Sequence, residues 1–227
     1  NFEILSFDEI KFYLKHNLNF PKNSCWLTFD DGYIDHYKNV LPILKKNNLK
    51  ASFFPLVTKK KIEKILDVNK IQMILANCKN FDYIIKDIKE TLETEKTSNL
   101  LSFSHYRKKY FMKNSFDSAN VAFIKRLLQF ALPNKLRVKL VNYLFKKYVK
   151  KKEKNIAKNF YMNEKQIKYL IKSGMHIGGH GLNHLKLNEL NVNEQIKEIK
   201  YVIDFLKYLG VSTDDWVMCY PYGQYNK

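Results

Sequence analysis

Apolar and polar positions near the start of the chain follow two different periods. Residues 7–18 carry Ile10, Phe12, Tyr13 and Leu14 at helical spacing, with Asp8 and Glu9 in the first turn and a stop before Pro21. Residues 25–29 form a short apolar run, read as a buried strand, and Asp30-Asp31-Gly32 turn the chain at its end. Tyr37, Val40, Leu41 and Leu44 then mark a helix that ends near Asn47-Asn48, and residues 51–55 a second strand halted by Pro55. A strand, a helix and a strand within about thirty residues make a βαβ unit, and therefore parallel pairing.

The pattern changes over residues 59–159, which lack glycine and hold one proline, Pro133. Helical periods cover 60–75, 83–93, 118–130 and 135–149, the last running into Lys150-Lys151-Lys152. A structureless loop of this size does not belong in a compact domain, so the segment is expected to be an inserted helical subdomain. Alternation of helix and strand resumes at Asn163. A helix over 164–171 is closed by Ser173-Gly174, a strand over 175–179 follows, and a long amphipathic helix over 194–209 has Asn193 as its expected cap. A last strand is expected over 216–221, halted by Pro221-Tyr222-Gly223. The expected organisation is one α/β domain, residues 1–58 and 160–227, interrupted by helical residues 59–159.

With 227 residues and 45% hydrophobic content the chain can bury one sizeable core, and 15% aromatic content excludes a disordered chain. No apolar run is long enough to cross a bilayer. The net charge of +18 invites a nucleic-acid reading, but it is nearly all lysine; the arginines are Arg107, Arg126 and Arg137. Base readout and bidentate phosphate contacts favour arginine, so the lysines are read as solvated helix faces and no nucleic-acid partner is expected. Cys25, Cys78 and Cys219 are odd in number and widely spaced, which suggests neither a zinc knuckle nor a disulfide framework. Reduced thiols favour a cytoplasmic location. The chain begins at Asn1 without a basic-then-apolar leader; it reads as a piece of a longer protein, with export after signal removal as the alternative.

Candidate chemistry lies in two distant segments. Asp30 and Asp31 close the first strand, and His180 and His184 stand in Gly178-Gly179-His180-Gly181-Leu182-Asn183-His184. The glycines argue for a strand-to-helix loop that can converge both imidazoles. Two imidazoles and one carboxylate suit zinc or a similar divalent ion with a position left open for water. Such an ion lowers the pKa of its water and polarises a carbonyl oxygen. The two aspartates project to different sides of an extended backbone, so one can ligate while the other accepts a proton. The residues alone do not say which does which. Pro221-Tyr222-Gly223 could aim a backbone N–H or an aromatic wall at the reacting centre.

This constellation resembles the polysaccharide deacetylases, carbohydrate esterase family 4, with their NodB homology domain. The matching motifs are Thr28-Phe29-Asp30-Asp31-Gly32, His180-Gly181-Leu182-Asn183-His184 and Tyr220-Pro221-Tyr222-Gly223, and the resemblance covers about half the chain outside the helical segment. It implies a distorted, incomplete (β/α) barrel with a large helical insertion, and removal of N-acetyl groups from amino sugars of a glycan, oligosaccharide or precursor. It also implies Asp30 as base, Asp31, His180 and His184 as ligands of zinc or another divalent metal, and Pro221, Tyr222 and Gly223 at the substrate and oxyanion site. Three positions depart from the family pattern. Gly181 stands where a loop-steadying hydroxyl is usual, and Cys219 stands where an arginine usually holds the base. The late histidine acid has no counterpart within residues 1–227, so it is expected beyond Lys227 or from elsewhere. Asp214-Asp215-Trp216 looks like a further family motif but precedes the third one, and no role is carried over to it. A catalytically impaired glycan-binding module and a non-sugar amidohydrolase of the same fold are the alternatives.

Overall fold

The computed structural model describes residues 2–56, 63–95 and 100–226. The chain forms two compact units, Asn1–Glu63 with Ile156–Lys227, and Lys64–Asn155.

The first unit is built on parallel strands. β1 (Glu3–Ile4) pairs with β2 (Ser24–Cys25), while β3 (Thr28–Asp31), β4 (Ser52–Pro55) and β5 (His176–Ile177) form a second sheet in that order. Thr28 stands opposite Ser52, and Ser52 opposite His176. All four residues of the central β4 are buried, which is why Ser-Phe-Phe-Pro shows no polar face. The single strand expected over 25–29 is two strands. The chain leaves β1 after Cys25 and joins β4 at Thr28, and two hydrogen bonds hold the change of partner. The Trp26 indole donates to Ser52 Oγ at 2.9 Å, and the Ser52 amide to the Leu27 carbonyl at 3.0 Å.

Helices flank this sheet. α1 (Phe7–Lys15) starts at a reciprocal Ser6–Glu9 cap. The helix expected after Tyr37 is a π-turn, His36–Val40, leading into α2 (Leu41–Lys46). Leu44 of α2, Phe53 of β4 and Ile177 of β5 bury in one cluster, joined by Leu170 of α9 (Glu164–Lys172) and Phe205 and Leu206 of α10 (Val192–Tyr208). Burying each such side chain stabilises the fold by about 1.5–3 kcal/mol. The cap of α10 is Asn191, not Asn193. Asn191 Oδ1 accepts the Glu194 amide and the Glu194 carboxylate accepts the Asn191 amide, both at 3.0 Å, so the Asn-x-x-Glu box starts the helix two residues earlier. The strand expected over 216–221 reduces to one parallel bridge, Gly179 with Met218, because Pro221–Gly223 fold into a 3₁₀ turn.

The second unit is helical: α3 (Asp67–Asn77), α4 (Phe81–Thr94), α5 (Phe103–Tyr110), α6 (Ala119–Arg126) and α7 (Asn134–Val149), after which α8 (Glu153–Phe160) begins. The helix expected over 60–75 starts at Asp67, and residues 57–62 lie outside the described ones. The helix expected over 118–130 is α6 followed by a π-turn, Leu127–Ala131. Two helices escaped the periodicity because each buries a single residue in an otherwise polar run, Tyr106 in α5 and Ala157 in α8. Residues 64–155 hold 21 of the 40 basic residues and 8 of the 22 acidic ones, so 13 of the 18 net positive charges fall on this unit. Lys70 is buried and neutralised by Glu153 at 2.9 Å; it lines a cavity of about 750 Å³ with Lys64, Lys146, Lys150, Lys151 and Lys152. Among the described residues no helix is long and apolar enough to cross a membrane.

Candidate metal centre

Parallel strands deliver the sequence-predicted residues to their carboxyl ends, the usual location of sites in such sheets. Asp30 and Asp31 end β3, with Asp31 in the left-handed region at φ 66°. Beyond β5 the backbone runs in close packing. A Cβ on Gly178 would lie 2.4 Å from the Phe54 ring, and one on Gly179 would lie 2.2 Å from Val202. Glycine at both positions is what lets the loop carry His180 and His184 to Asp31. Asp31 Oδ1 lies 3.3 Å from His180 Nε2 and 3.4 Å from His184 Nε2.

Each of these groups is held from behind. His180 Nδ1 is 2.8 Å from the Cys219 carbonyl, which assigns an Nδ1–H to that bond and aims Nε2 at Asp31. Asp31 Oδ2 accepts the Tyr33 hydroxyl at 2.5 Å. Asp31 Oδ1 is buried and has no hydrogen-bond partner among the described residues. The two imidazole nitrogens flank it as ion-pair partners. Burial pushes His184 down to about 4. Burial acts on His180 in the same direction, but Asp31 and the Cys219 carbonyl outweigh it and hold His180 up at about 10. Asp31 stays below the ordinary carboxylate range: burial opposes this, and the imidazoles and Tyr33 prevail. An unpaired carboxylate oxygen facing two imidazole nitrogens is a donor set that fits a divalent cation.

The other predicted residues flank this cluster. Asp30 is exposed, and the Cys219 thiol lies 3.3 Å from its Oδ2, at the position where an arginine is usual. Cys219, expected in a buried strand, is half-buried beside the site, and all three cysteines are free thiols. Tyr222 (φ 59°) sets its ring edge-on to His184 at 4.8 Å between centroids. Pro221 is buried beneath the turn, and the Gly223 amide is committed to the Tyr220 carbonyl at 2.9 Å. His176 lies elsewhere, stacked on Phe7, while His36 is buried against the rings of Phe29, Tyr33 and Phe53.

Two residues of the site were not anticipated. Tyr33 directly follows the Asp-Asp-Gly turn, but nothing in a tyrosine at a turn marks it as a support. Glu198 of α10 is 4% exposed and accepts the Leu182 amide at 2.7 Å, the Asn183 amide at 3.1 Å and Asn183 Nδ2 at 2.6 Å. A signal for Glu198 existed: it sits in helical phase with the apolar Val202 and Phe205, a carboxylate on a buried stripe.

Parallel strands that bring a carboxylate and two imidazoles to one point define an α/β protein with a candidate metal-ligand group at its strand ends. The chain belongs to the polysaccharide deacetylase family: the family profile of that description matches residues 17–90 and 109–227. That match runs through both units, wider than the motif-bearing stretches. No curated protein matches the chain significantly. Among solved structures it is similar to the deacetylase PplD of Streptococcus pyogenes in complex with acetate, with 20% identity and a TM-score of 0.50 over 100% of this chain and 58% of that one. It is also similar to IcaB from Ammonifex degensii, with 16% identity and a TM-score of 0.50 over 100% of this chain and 62% of that one. The chain thus spans less than two thirds of either structure, and at these identities the likeness is one of fold. The expected α/β architecture of polysaccharide-deacetylase type stands, with two open sheets and no closed barrel among the described residues.

Proposed function

We propose that the chain is a metal-dependent hydrolase that removes N-acetyl groups from amino sugars of a glycan, oligosaccharide or glycan precursor. The first unit carries the chemistry, and the helical unit is an insertion into it. One observation supports this reading above the others: the buried Asp31 Oδ1, without a hydrogen bond, between two imidazole nitrogens. Asp31, His180 and His184 would hold a divalent cation, zinc first among the candidates, since mixed imidazole and carboxylate donors suit it. Bound there, the cation supplies Lewis acidity.

The remaining work falls to side chains of the chain itself. Asp30 is exposed at the lip of the cluster, where its carboxylate takes the proton of the attacking water. Water adds to the acetyl carbon, the carbon–nitrogen bond breaks, and acetate leaves. The proton taken up by Asp30 balances the one that the departing amine gains. Tyr222, beside His184, forms a wall of the acyl pocket on the buried Pro221, and the turn at Gly223 sets the backbone that faces the oxyanion.

The test is acetate release from N-acetylglucosamine oligomers by zinc-loaded protein. Asp30→Asn is expected to keep its zinc and to lose about 10²- to 10⁴-fold in rate; hydrolysis at the parent rate would remove Asp30 from the mechanism. Cys219 in the place of an arginine favours a second reading, a glycan-binding module with impaired catalysis. Oligomer binding without acetate release from the wild-type protein would select it.

A further inference from the structure

We infer that Glu198 is a positioning residue for the candidate metal centre, and that Gly181 is the complement that makes room for it. The inference rests on the reading of Asp31, His180 and His184 as ligands. His180 and His184 are separated by three residues that belong to no helix or strand, and their rings must nonetheless present both Nε2 atoms to one point. Glu198, from the distant helix α10, spans that gap. Its Oε2 accepts the consecutive amides of Leu182 and Asn183, and its Oε1 accepts the Asn183 side-chain amide. These three bonds engage the two residues that directly precede His184.

A carboxylate at 4% exposure loses its hydration and must recover it from the protein. Among the described residues no cation pairs with Glu198; the loop amides replace water around it. Bonds of N–H donors to a charged acceptor contribute roughly twice what neutral ones do. The pairing is therefore strong in both directions: the loop solvates the carboxylate, and the carboxylate fixes the loop.

Gly181 fits the same account. It lies at φ 74°, and a Cβ there would stand 3.3 Å from Glu198 Oε2 and 3.6 Å from Pro221. A residue with a side chain would be strained in backbone and would crowd the carboxylate that the next two amides need. The hydroxyl expected to steady this loop is thus replaced by a group reaching in from another element. Outer partners of metal ligands of this kind change metal affinity by about 10- to 100-fold when removed.

The experiment is zinc titration against a chromophoric chelator, with thermal unfolding of the metal-free proteins alongside. Wild type should bind one equivalent, Glu198→Ala should bind about 10- to 100-fold more weakly, and Glu198→Gln should keep most of the affinity, since an amide oxygen still accepts the two backbone N–H groups. A Glu198→Ala protein that melts lower but binds zinc as wild type does would overturn the positioning role and leave the metal site intact. Wild type that binds no better than His184→Ala would overturn the metal reading, and this inference with it. Amide hydrogen exchange of metal-free wild type needs no variant to fold. Protection of Leu182 and Asn183 supports the inference, and exchange at the unstructured rate overturns it.

Discussion

Asp31 divides its two oxygens between two tasks. Oδ2 is anchored by the Tyr33 hydroxyl, which leaves Oδ1 facing both imidazoles. A short bond to a carboxylate contributes about 1.5–3 kcal/mol, so the ring of Tyr33 alone should not hold Asp31 as well as its hydroxyl does. Tyr33→Phe is expected to weaken zinc binding by about tenfold or more, at about 1.4 kcal/mol per decade. Unchanged affinity in a chelator competition would assign the orientation of Asp31 to other groups. At this scale the sequence was readable where chemistry is concentrated in motifs. Asp30, Asp31, His180 and His184 were all singled out, and Asp31, His180 and His184 bring ligand atoms within 4.8 Å of one another. Tyr33 and Glu198 were not, because their roles depend on which distant groups the fold sets against them.

Among the elements, strand ends and partners were harder to see than helices. Apolar runs predict that a strand exists but not where it changes neighbour, so the break at Trp26-Leu27 was invisible. The bridge at Met218 was overestimated for the same reason. The strand halted by Pro55 and the helix closed at Gly174 were placed well, whereas α5 and α8 bury too little to show a period. Packing of the elements also has a consequence for pH. His176, stacked on Phe7 at 3.7 Å and bonded to Ser52 Oγ at 2.9 Å, is pushed by burial down to about 4. His36, in the π-turn, is lowered by burial as well. Unfolding lets both imidazoles titrate near 6.5, so below that pH the unfolded chain binds more protons and stability rises with pH. The contribution of His176 is full above about 6.5, is lost as pH falls, and levels off near 4, with a slope of at most about 1.4 kcal/mol per pH unit. Denaturant titrations across this window should show it, and His176→Gln should flatten the slope. An unchanged slope would mean that His176 is protonated in the fold.

For the whole molecule, the uneven charge matters more than its total. The helical unit carries 13 of the 18 net charges, and the basic cavity rim lies within it. At physiological salt a field reaches about 8 Å, so attraction to polyanions is a property of the local surface. Changing Lys146, Lys150, Lys151 and Lys152 to Gln should lower the salt needed to elute the protein from a polyanionic matrix. The same change at Lys38, Lys46, Lys165 and Lys200 of the first unit should lower it less. Equal shifts would show that only total charge counts. Scarce arginine and helical alternation read the lysines as solvated faces, but neither shows how the two units divide them.

Asp31, His184 and Tyr222 share one further property: all three adopt left-handed backbone angles, at φ 66°, 53° and 59°. Non-glycine residues are held in that region only when their surroundings demand it, at about 1–3 kcal/mol each. Glycine or asparagine would relax every one of them. Laboratory evolution that rewards heat tolerance alone will therefore press on these three positions first, and each success there will erase part of the machinery while leaving the fold in better health.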